Sequence, residues 1–174
     1  MFRVCPLQQI IKSNTCLSFN GSNSVGTDRP TTCIWLPTYE ESKVLLEKFI
    51  SEVVPVHHVV HVPSLRQLVD DIYVVLRRQV AVDTGKILLL LSIITSTTFY
   101  WDSHDLPGNL FLTPLETRSQ AAIWIRATLE LLAHYRWNIP ASIECVQAII
   151  TTSIVLCNLE AVSPRFHHLL MLEY

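Results

Sequence analysis

The sequence predicts an all-α protein, built as an irregular array of about six helices behind a disordered N-terminal tail. Apolar residues recur every three or four positions through most of residues 36–174, which is the spacing of one helix face. Alternation typical of a strand is confined to Val56–Val62. The chain has neither an internal repeat nor a sustained heptad pattern, so we expect the helices to pack as a globular array and not as a coiled coil.

Residues 1–35 are predicted to be the disordered tail or linker. Within them, residues 13–32 are rich in serine, asparagine and threonine and hold two of the chain's four glycines. That composition is typical of linkers, and no helical period survives in it. The length of 174 residues fits one domain, whose usual size is about 100–200 residues. We therefore expect one ordered domain over residues 36–174.

The first helix is predicted to follow Leu36. Thr38 and Glu41 have the spacing of a capping box, in which each side chain accepts a hydrogen bond from the other residue's backbone N–H. The helix is expected to end before Pro55, because proline disfavours the helical conformation of the residue that precedes it. The β-branched segment that follows, residues 55–63, is expected to be extended.

The second and third helices are predicted from opposite patterns. A second capping box, Ser64 with Gln67, introduces the clearest amphipathic helix of the chain. Its apolar side comprises Leu65, Leu68, Val69, Ile72, Tyr73 and Leu76. The third helix, from about Thr84 to Tyr100, lacks a polar side, which predicts burial on several sides.

The last three helices follow a loop that turns at Pro107-Gly108. The fourth runs from about Leu115 to Tyr135, with its inward side formed by Ala121, Ala122, Ile125, Leu129 and Leu132. Pro140 is expected to open the fifth helix at its first turn. The buried side of the fifth helix is predicted to be Ile143, Val146, Ile149, Ile150, Ile154 and Cys157. A sixth helix is expected after Ser163-Pro164.

Composition argues against direct contact with nucleic acid. The formal net charge is −2, and the densest basic spot is the pair Arg77-Arg78, which is typical of a solvated helix face. Hydrophobic residues make up 49% of the chain and charged residues 16%, against about 25% charged in an ordinary soluble domain. Such a chain either buries most of its helix faces in itself or leaves some for a partner or a membrane. The uncharged run Ile87–Trp101 is shorter than the roughly 20 residues that span a bilayer, which favours a buried helix.

No metal site is predicted. The five cysteines lack a Cys-x-x-Cys pair, and Cys145 and Cys157 are expected to be buried as small hydrophobic residues. In an extended segment, His57 and His61 would point to one side and His58 to the other, which leaves a zinc ion short of ligands. The pair His167-His168 is weaker still, because adjacent residues of a helix face different directions.

Catalysis is not predicted either. The sequence has no Gly-x-Ser-x-Gly motif and no glycine-rich phosphate loop, so neither a serine nucleophile nor a nucleotide cofactor is indicated. Cys145 lies among apolar residues of a helix, which suits an inert thiol. The paired carboxylates Glu40-Glu41 and Asp70-Asp71 are expected at a helix start and on a solvent-facing helix side. We therefore predict a protein that is not an enzyme and that has no catalytic, cofactor-binding, metal-binding or DNA-binding residues.

Several segments match a known family in their order and spacing. Leu36-Pro37 precedes a helix, Val54-Pro55-Val56-His57 follows it, and His61-Val62-Pro63-Ser64-Leu65 opens the next helix. Leu88–Ile94 forms an apolar helix, and Ser142–Ala148 reads Ser-x-Glu-x-Val-Gln-Ala. Together they resemble the fungal-specific transcription factor domain, the middle homology region of fungal zinc-cluster regulators, over about residues 36–172. Residues 36–174 would then be a partial regulatory domain of this type.

The resemblance implies a non-catalytic regulator of fungal gene expression that acts in the nucleus and controls a secondary-metabolite gene cluster. It also implies a related transcription regulator as the partner, by homo- or hetero-association, without contact to DNA or a membrane. Family members usually carry a six-cysteine zinc cluster that places a helix on DNA, and Cys5, Cys16 and Cys33 do not fit it. The chain is therefore expected to be a truncated member. Two alternatives stay open: a non-functional gene fragment, and a membrane-associated helical protein anchored by Ile87–Trp101.

Overall fold

The computed structural model describes residues 1–20, 31–101, 110–111, 113–135 and 141–162. In these residues the fold is mostly helical, which confirms the predicted class. The helices are α1 (Leu7–Ser13), α2 (Tyr39–Lys48), a π-helix (Phe49–Val53), α3 (Val54–His57), α4 (Val62–Arg77), α5 (Thr84–Phe99), α6 (Pro114–His134) and α7 (Ile143–Val162). The strands are β1 (Phe2–Val4), β2 (Leu17–Asn20) and β3 (Thr31–Leu36). The loop at Pro107-Gly108, the turn at Pro140 and the helix expected after Ser163-Pro164 lie outside the described residues.

The structure corrects the prediction of a disordered N-terminal tail over residues 1–35. In its described part, β3 pairs with β1 in parallel and with β2 in antiparallel, so the strand order is β1-β3-β2. Leu7, Ile10 and Cys16 are buried in the main core. The physical reason is that backbone pairing between segments far apart in sequence stabilises strands whose composition looks like a linker, and no local pattern reveals such pairing.

The capping box of α2 forms as predicted and also anchors α1. The carboxylate of Glu41 accepts hydrogen bonds from the backbone N–H of Thr38 at 2.8 Å, and Thr38 Oγ1 accepts one from the N–H of Glu41 at 3.4 Å. Both carboxylate oxygens of Glu41 also lie 3.0 Å from the backbone nitrogen of Leu7, which donates to them. One side chain therefore satisfies backbone donors at the first turns of two helices.

Replacing Glu41 with alanine is expected to lower the free energy of unfolding by about 1.5–3 kcal/mol, the range for hydrogen bonds to charged groups. The neighbouring Glu40→Ala is a matched control, because Glu40 is exposed and makes only a 3.8 Å ion pair with Lys43. We expect the control to change stability by less than about 0.5 kcal/mol. Urea denaturation followed by circular dichroism measures both, and equal midpoints for the two variants would contradict the double anchoring role of Glu41.

The chain after α2 stays helical as far as His57, although the sequence predicted an extended segment over residues 55–63; residues 58–61 of that segment are not helical. The helix continues through the π-helix into α3, and Pro55 lies in the first turn of α3, where its missing N–H is tolerated. Helix α3 ends at His57, and the next residue, His58, has a left-handed φ of 39°. The prediction that the helix stops before Pro55 is therefore wrong, because the π-helical turn lets a new helical turn start at the proline.

The second predicted capping box does not form. Helix α4 begins at Val62, so its N-cap is His61 and not Ser64, and Pro63 lies in its first turn. The hydroxyl of Ser64 instead pairs with Nδ1 of His61 at 2.8 Å, and Gln67 donates to Asp71 at 2.9 Å. The apolar side of α4 is as predicted for Leu65, Leu68, Val69, Ile72 and Tyr73, which are buried. The phenol of Tyr73 donates to the carbonyl of Pro37 at 2.6 Å, and burial raises its pKa.

Helix α5 lies at the centre of the fold, buried on all sides as predicted. Every residue from Ile87 to Thr98 is buried, and the helix packs against α2, α6 and α7. Its buried threonines donate to backbone carbonyls one turn earlier, for example Thr95 to Leu91 at 2.8 Å, so their hydroxyls cost little on burial. Within the part of the chain that the structure describes, no helix is both long and apolar enough to cross a bilayer.

Candidate interaction surface

Helix α7 presents an apolar surface to solvent, on the side that the sequence predicted to be buried. Ile143 is 69% exposed, Val146 55%, Ile149 40% and Ile150 43%, and Cys157 is exposed as well. The buried side is formed instead by Cys145, Ala148, Thr151, Thr152 and Val155. The predicted buried side is therefore wrong for five of its six residues, which are the exposed Ile143, Val146, Ile149, Ile150 and Cys157. The sixth, Ile154, is half-buried.

The reason is that α7 is apolar around its whole circumference, so hydrophobic periodicity does not choose a side. The side of α7 with small side chains packs against α5, because small side chains let the two helices approach closely. A Cβ atom on Gly85 of α5 would lie 2.5 Å from Oγ of Ser142 and 3.0 Å from Sγ of Cys145. Glycine at this position permits the contact. The run of small residues at 145, 148, 151 and 152 is the signal in the sequence that could have identified the packed side.

Polar contacts fix the rotation of α7 about its axis. Near its start, Gln147 donates to the carbonyl of Val59 at 3.1 Å, and near its end Asn158 donates to the hydroxyl of Tyr100 at 2.6 Å. Ser142 Oγ accepts from the N–H of Cys145 at 3.3 Å, as an N-cap does. We call Ile143, Val146, Ile149, Ile150, Ser153 and Cys157 the α7 outer face, since all six are exposed.

A cleft of about 490 Å³ opens beside the first turn of α7, bounded by α4 and the start of α5. Its lining combines apolar side chains of α4 and α5 with charged and polar groups, among them Lys86 and Asp71, whose ion pair measures 3.6 Å, and Glu144. The volume lies in the range of small-molecule sites, about 300–1,000 Å³. The cleft shares Ile143 with the α7 outer face.

The histidines considered as metal ligands are held apart by the local fold. His57 ends α3, His58 is left-handed, and Nδ1 of His61 is engaged with Ser64. In the described ranges, no group of three or more His, Cys, Asp or Glu side chains could hold a metal ion. His167-His168 lies outside these ranges.

The side chains considered for acid–base or nucleophilic roles are engaged in hydrogen bonds or buried in the core. Asp70 accepts from the hydroxyl of Tyr39 at 2.8 Å, and Glu41 holds two helix starts as described above. Burial raises the pKa of Cys16 to about 12, so its thiol stays protonated at neutral pH. Cys145 is buried as predicted, whereas Cys157 is exposed because it lies on the α7 outer face.

The chain is similar in sequence to two proteins that are named as transcription factors. Probable transcription factor lepB of Aspergillus flavus is 31% identical over 168 residues, which are 96% of this chain and 30% of lepB. Transcription factor TAS2 of Pyricularia oryzae is 24% identical over 138 residues, which are 78% of this chain and 18% of TAS2. Both homologues are named as fungal transcription factors. No family model matches the chain, and no solved structure matches it.

The chain spans less than a third of the length of either relative. The similarity to lepB nevertheless runs through almost all of the chain, and therefore includes α5, α6 and α7. The α7 outer face is thus an uncovered apolar surface on a chain related to transcription factors.

Proposed function

We propose that the chain is a non-catalytic regulator of transcription that acts in the nucleus by binding a related transcription regulator through the α7 outer face. The observation that carries the proposal is the exposure of four branched aliphatic side chains on one side of α7. Contiguous exposed apolar surface marks a site of interaction with another protein or with a membrane. The relation to transcription factors favours a protein partner.

Charge supports a protein partner over DNA. Binding to DNA depends on lysine and arginine side chains that neutralise phosphates. Residues 143–162 contain neither, and the chain as a whole has a net charge of −2. The centre of a protein–protein interface is depleted of charge and rich in apolar side chains, as the α7 outer face is.

The genes that we propose as targets are those of a secondary-metabolite cluster. This finer assignment rests on the family resemblance of the sequence alone. It predicts that the transcripts that change when the protein is lost come from neighbouring genes.

The test compares transcripts and location in the native host. A fluorescent fusion is expected to accumulate in the nucleus, and deletion of the gene is expected to change a defined set of transcripts. Ile150→Glu should reproduce the change seen on deletion, because a carboxylate at the centre of the α7 outer face prevents apolar contact. Val74→Glu is the matched control, since Val74 is also a β-branched residue on a helix and is 43% exposed, as Ile150 is.

Two results would overturn the proposal. An unchanged transcriptome after deletion would favour the alternative of a gene fragment without function. A strain with Ile150→Glu whose transcripts equal those of the wild type, at equal protein level, would show that the α7 outer face takes no part in regulation.

A further inference from the structure

Two buried hydroxyl groups line one small cavity in the core. Ser96 of α5 is 1% exposed and Thr151 of α7 is 3% exposed. Among the described residues, neither hydroxyl meets a hydrogen-bond partner. The cavity that both side chains line also borders the π-helix at Phe49 and α3 at His57. Burying a hydroxyl without a hydrogen bond costs free energy, so the arrangement indicates a polar ligand in the cavity.

Ser96 differs in its hydrogen bonding from the other buried hydroxyl-bearing residues of α5, which donate to carbonyl groups of their own helix. Ser92 donates to the carbonyl of Leu89 at 2.8 Å. Thr98 donates to the carbonyl of Ile94 at 2.7 Å. A serine hydroxyl in a helix reaches such a carbonyl by rotation of its side chain. The hydroxyl of Ser96 makes no such bond and lies at the cavity, which indicates that its partner is there.

The size of the cavity selects the ligand. The space that the centre of a water molecule can occupy is about 10 Å³. One buried water molecule needs about 10–15 Å³ of such space and at least two polar partners. An organic ligand needs a site of about 300 Å³ or more. The cavity therefore fits one water molecule and excludes an organic ligand.

We propose that the cavity is a binding site for one ordered water molecule, which bridges the hydroxyls of Ser96 and Thr151 and so joins α5 to α7. A water molecule both donates and accepts, and a bridge of this kind is nearly as favourable in enthalpy as a direct hydrogen bond. His57 is a further polar side chain of the lining. Thr151 lies on the packed side of α7, so the site is independent of any partner on the α7 outer face.

The water site adds a polar contact midway along the packed side of α7. Gln147 bonds to the carbonyl of Val59 near the start of the helix, and Asn158 to the hydroxyl of Tyr100 near its end. Thr151 lies between them, one turn after Gln147. Because α7 is apolar all around, polar contacts on one side are what distinguish its native rotation from others. The bridging water accordingly helps to select the side of α7 that is packed.

The first test is the sign of a change in stability, measured on the full chain by urea denaturation and circular dichroism. Thr151→Val replaces the hydroxyl by a methyl group. The variant loses the hydrogen bond to water, so we expect the equilibrium constant of folding to fall about fivefold or more. Thr152→Val is the matched control, because the Thr152 hydroxyl is also buried without a partner but does not line the cavity. Removing an unpaired hydroxyl should leave the constant unchanged or raise it.

Equal changes in the two variants, of either sign, overturn the proposal, because only Thr151 lies at the cavity. Ser96→Ala is expected to lower the folding constant as Thr151→Val does. The combined variant should lose less than the product of the two single effects, since both changes remove the same water molecule. Independent effects of the two changes would show that the hydroxyls share no ligand.

A high-resolution crystal structure of the full chain tests the site directly. We expect one peak of electron density at about 2.5–3.0 Å from both Oγ of Ser96 and Oγ1 of Thr151. The absence of this peak, or a direct hydrogen bond between the two hydroxyls, overturns the proposal. In crystals of Thr152→Val the peak should persist.

Discussion

Replacing Trp124 with alanine is expected to lower the free energy of unfolding by about 3–5 kcal/mol, the usual cost of removing a buried tryptophan side chain. Trp124 is fully buried on α6, within the same core cluster as α5. Its backbone carbonyl accepts from Thr128 at 2.9 Å, and the hydroxyl of Thr128 lies 3.3 Å from that of Thr95 on α5. The large cavity left by alanine would open in the contact between α5 and α6. Urea denaturation followed by circular dichroism measures the loss.

Trp124→Phe is the informative companion variant. Among the described residues, Nε1 of Trp124 meets no hydrogen-bond acceptor, so this buried N–H destabilises the native state. Phenylalanine keeps most of the apolar volume and removes the unpaired donor. We expect it to be clearly more stable than the alanine variant. Equal destabilisation by phenylalanine and alanine would contradict this, because it would show that the N–H group makes a stabilising contact.

The second large effect is a contrast between two isoleucines. Ile94→Ala on α5 is expected to lower the free energy of unfolding by about 2–5 kcal/mol, because Ile94 is fully buried. Ile150→Ala on α7 makes the same chemical change at a side chain that is 43% exposed. We expect it to change the stability of the monomer by about 0.5 kcal/mol or less.

Both variants are measured by urea denaturation at low protein concentration, where self-association does not contribute. The comparison tests which side of α7 is packed. If Ile150→Ala were as destabilising as Ile94→Ala, Ile150 would be buried within the monomer, and the α7 outer face would not be available to any partner.

The elements that the sequence predicts well are those whose local pattern is unambiguous. Thr38 and Glu41 form the capping box that their spacing indicates. The amphipathic stripe of α4 is buried as expected, and the uniformly apolar α5 is enclosed by its neighbours. In each case the information lies within one helix, so a single sequence is sufficient to find it.

The features that the sequence does not predict depend on contacts between distant segments. The N-terminal sheet forms because β3 pairs with strands on both sides, although its neighbouring residues look like a linker. Pro55 is accommodated because a π-helix precedes it. The orientation of α7 is decided by how closely Gly85 lets it approach α5, since the apolar pattern alone favours no side. For this reason the sequence identifies α7 as an apolar helix, but it does not show which side of that helix is exposed.

The long contacts of the N-terminal segment have a consequence for the order in which the protein folds during synthesis. Gln8 donates to the carbonyl of Leu110 at 2.9 Å, and the thiol of Cys16 to that of Ile123 at 3.5 Å, across 102 and 107 residues of chain. Gln8 and Cys16 are therefore synthesised about 100 residues before the partners that they bind. Contacts of such sequence separation slow folding. The contacts to Leu110 and Ile123 accordingly form only after α5 has been made, and chaperones protect apolar segments of a nascent chain from aggregation at such a stage.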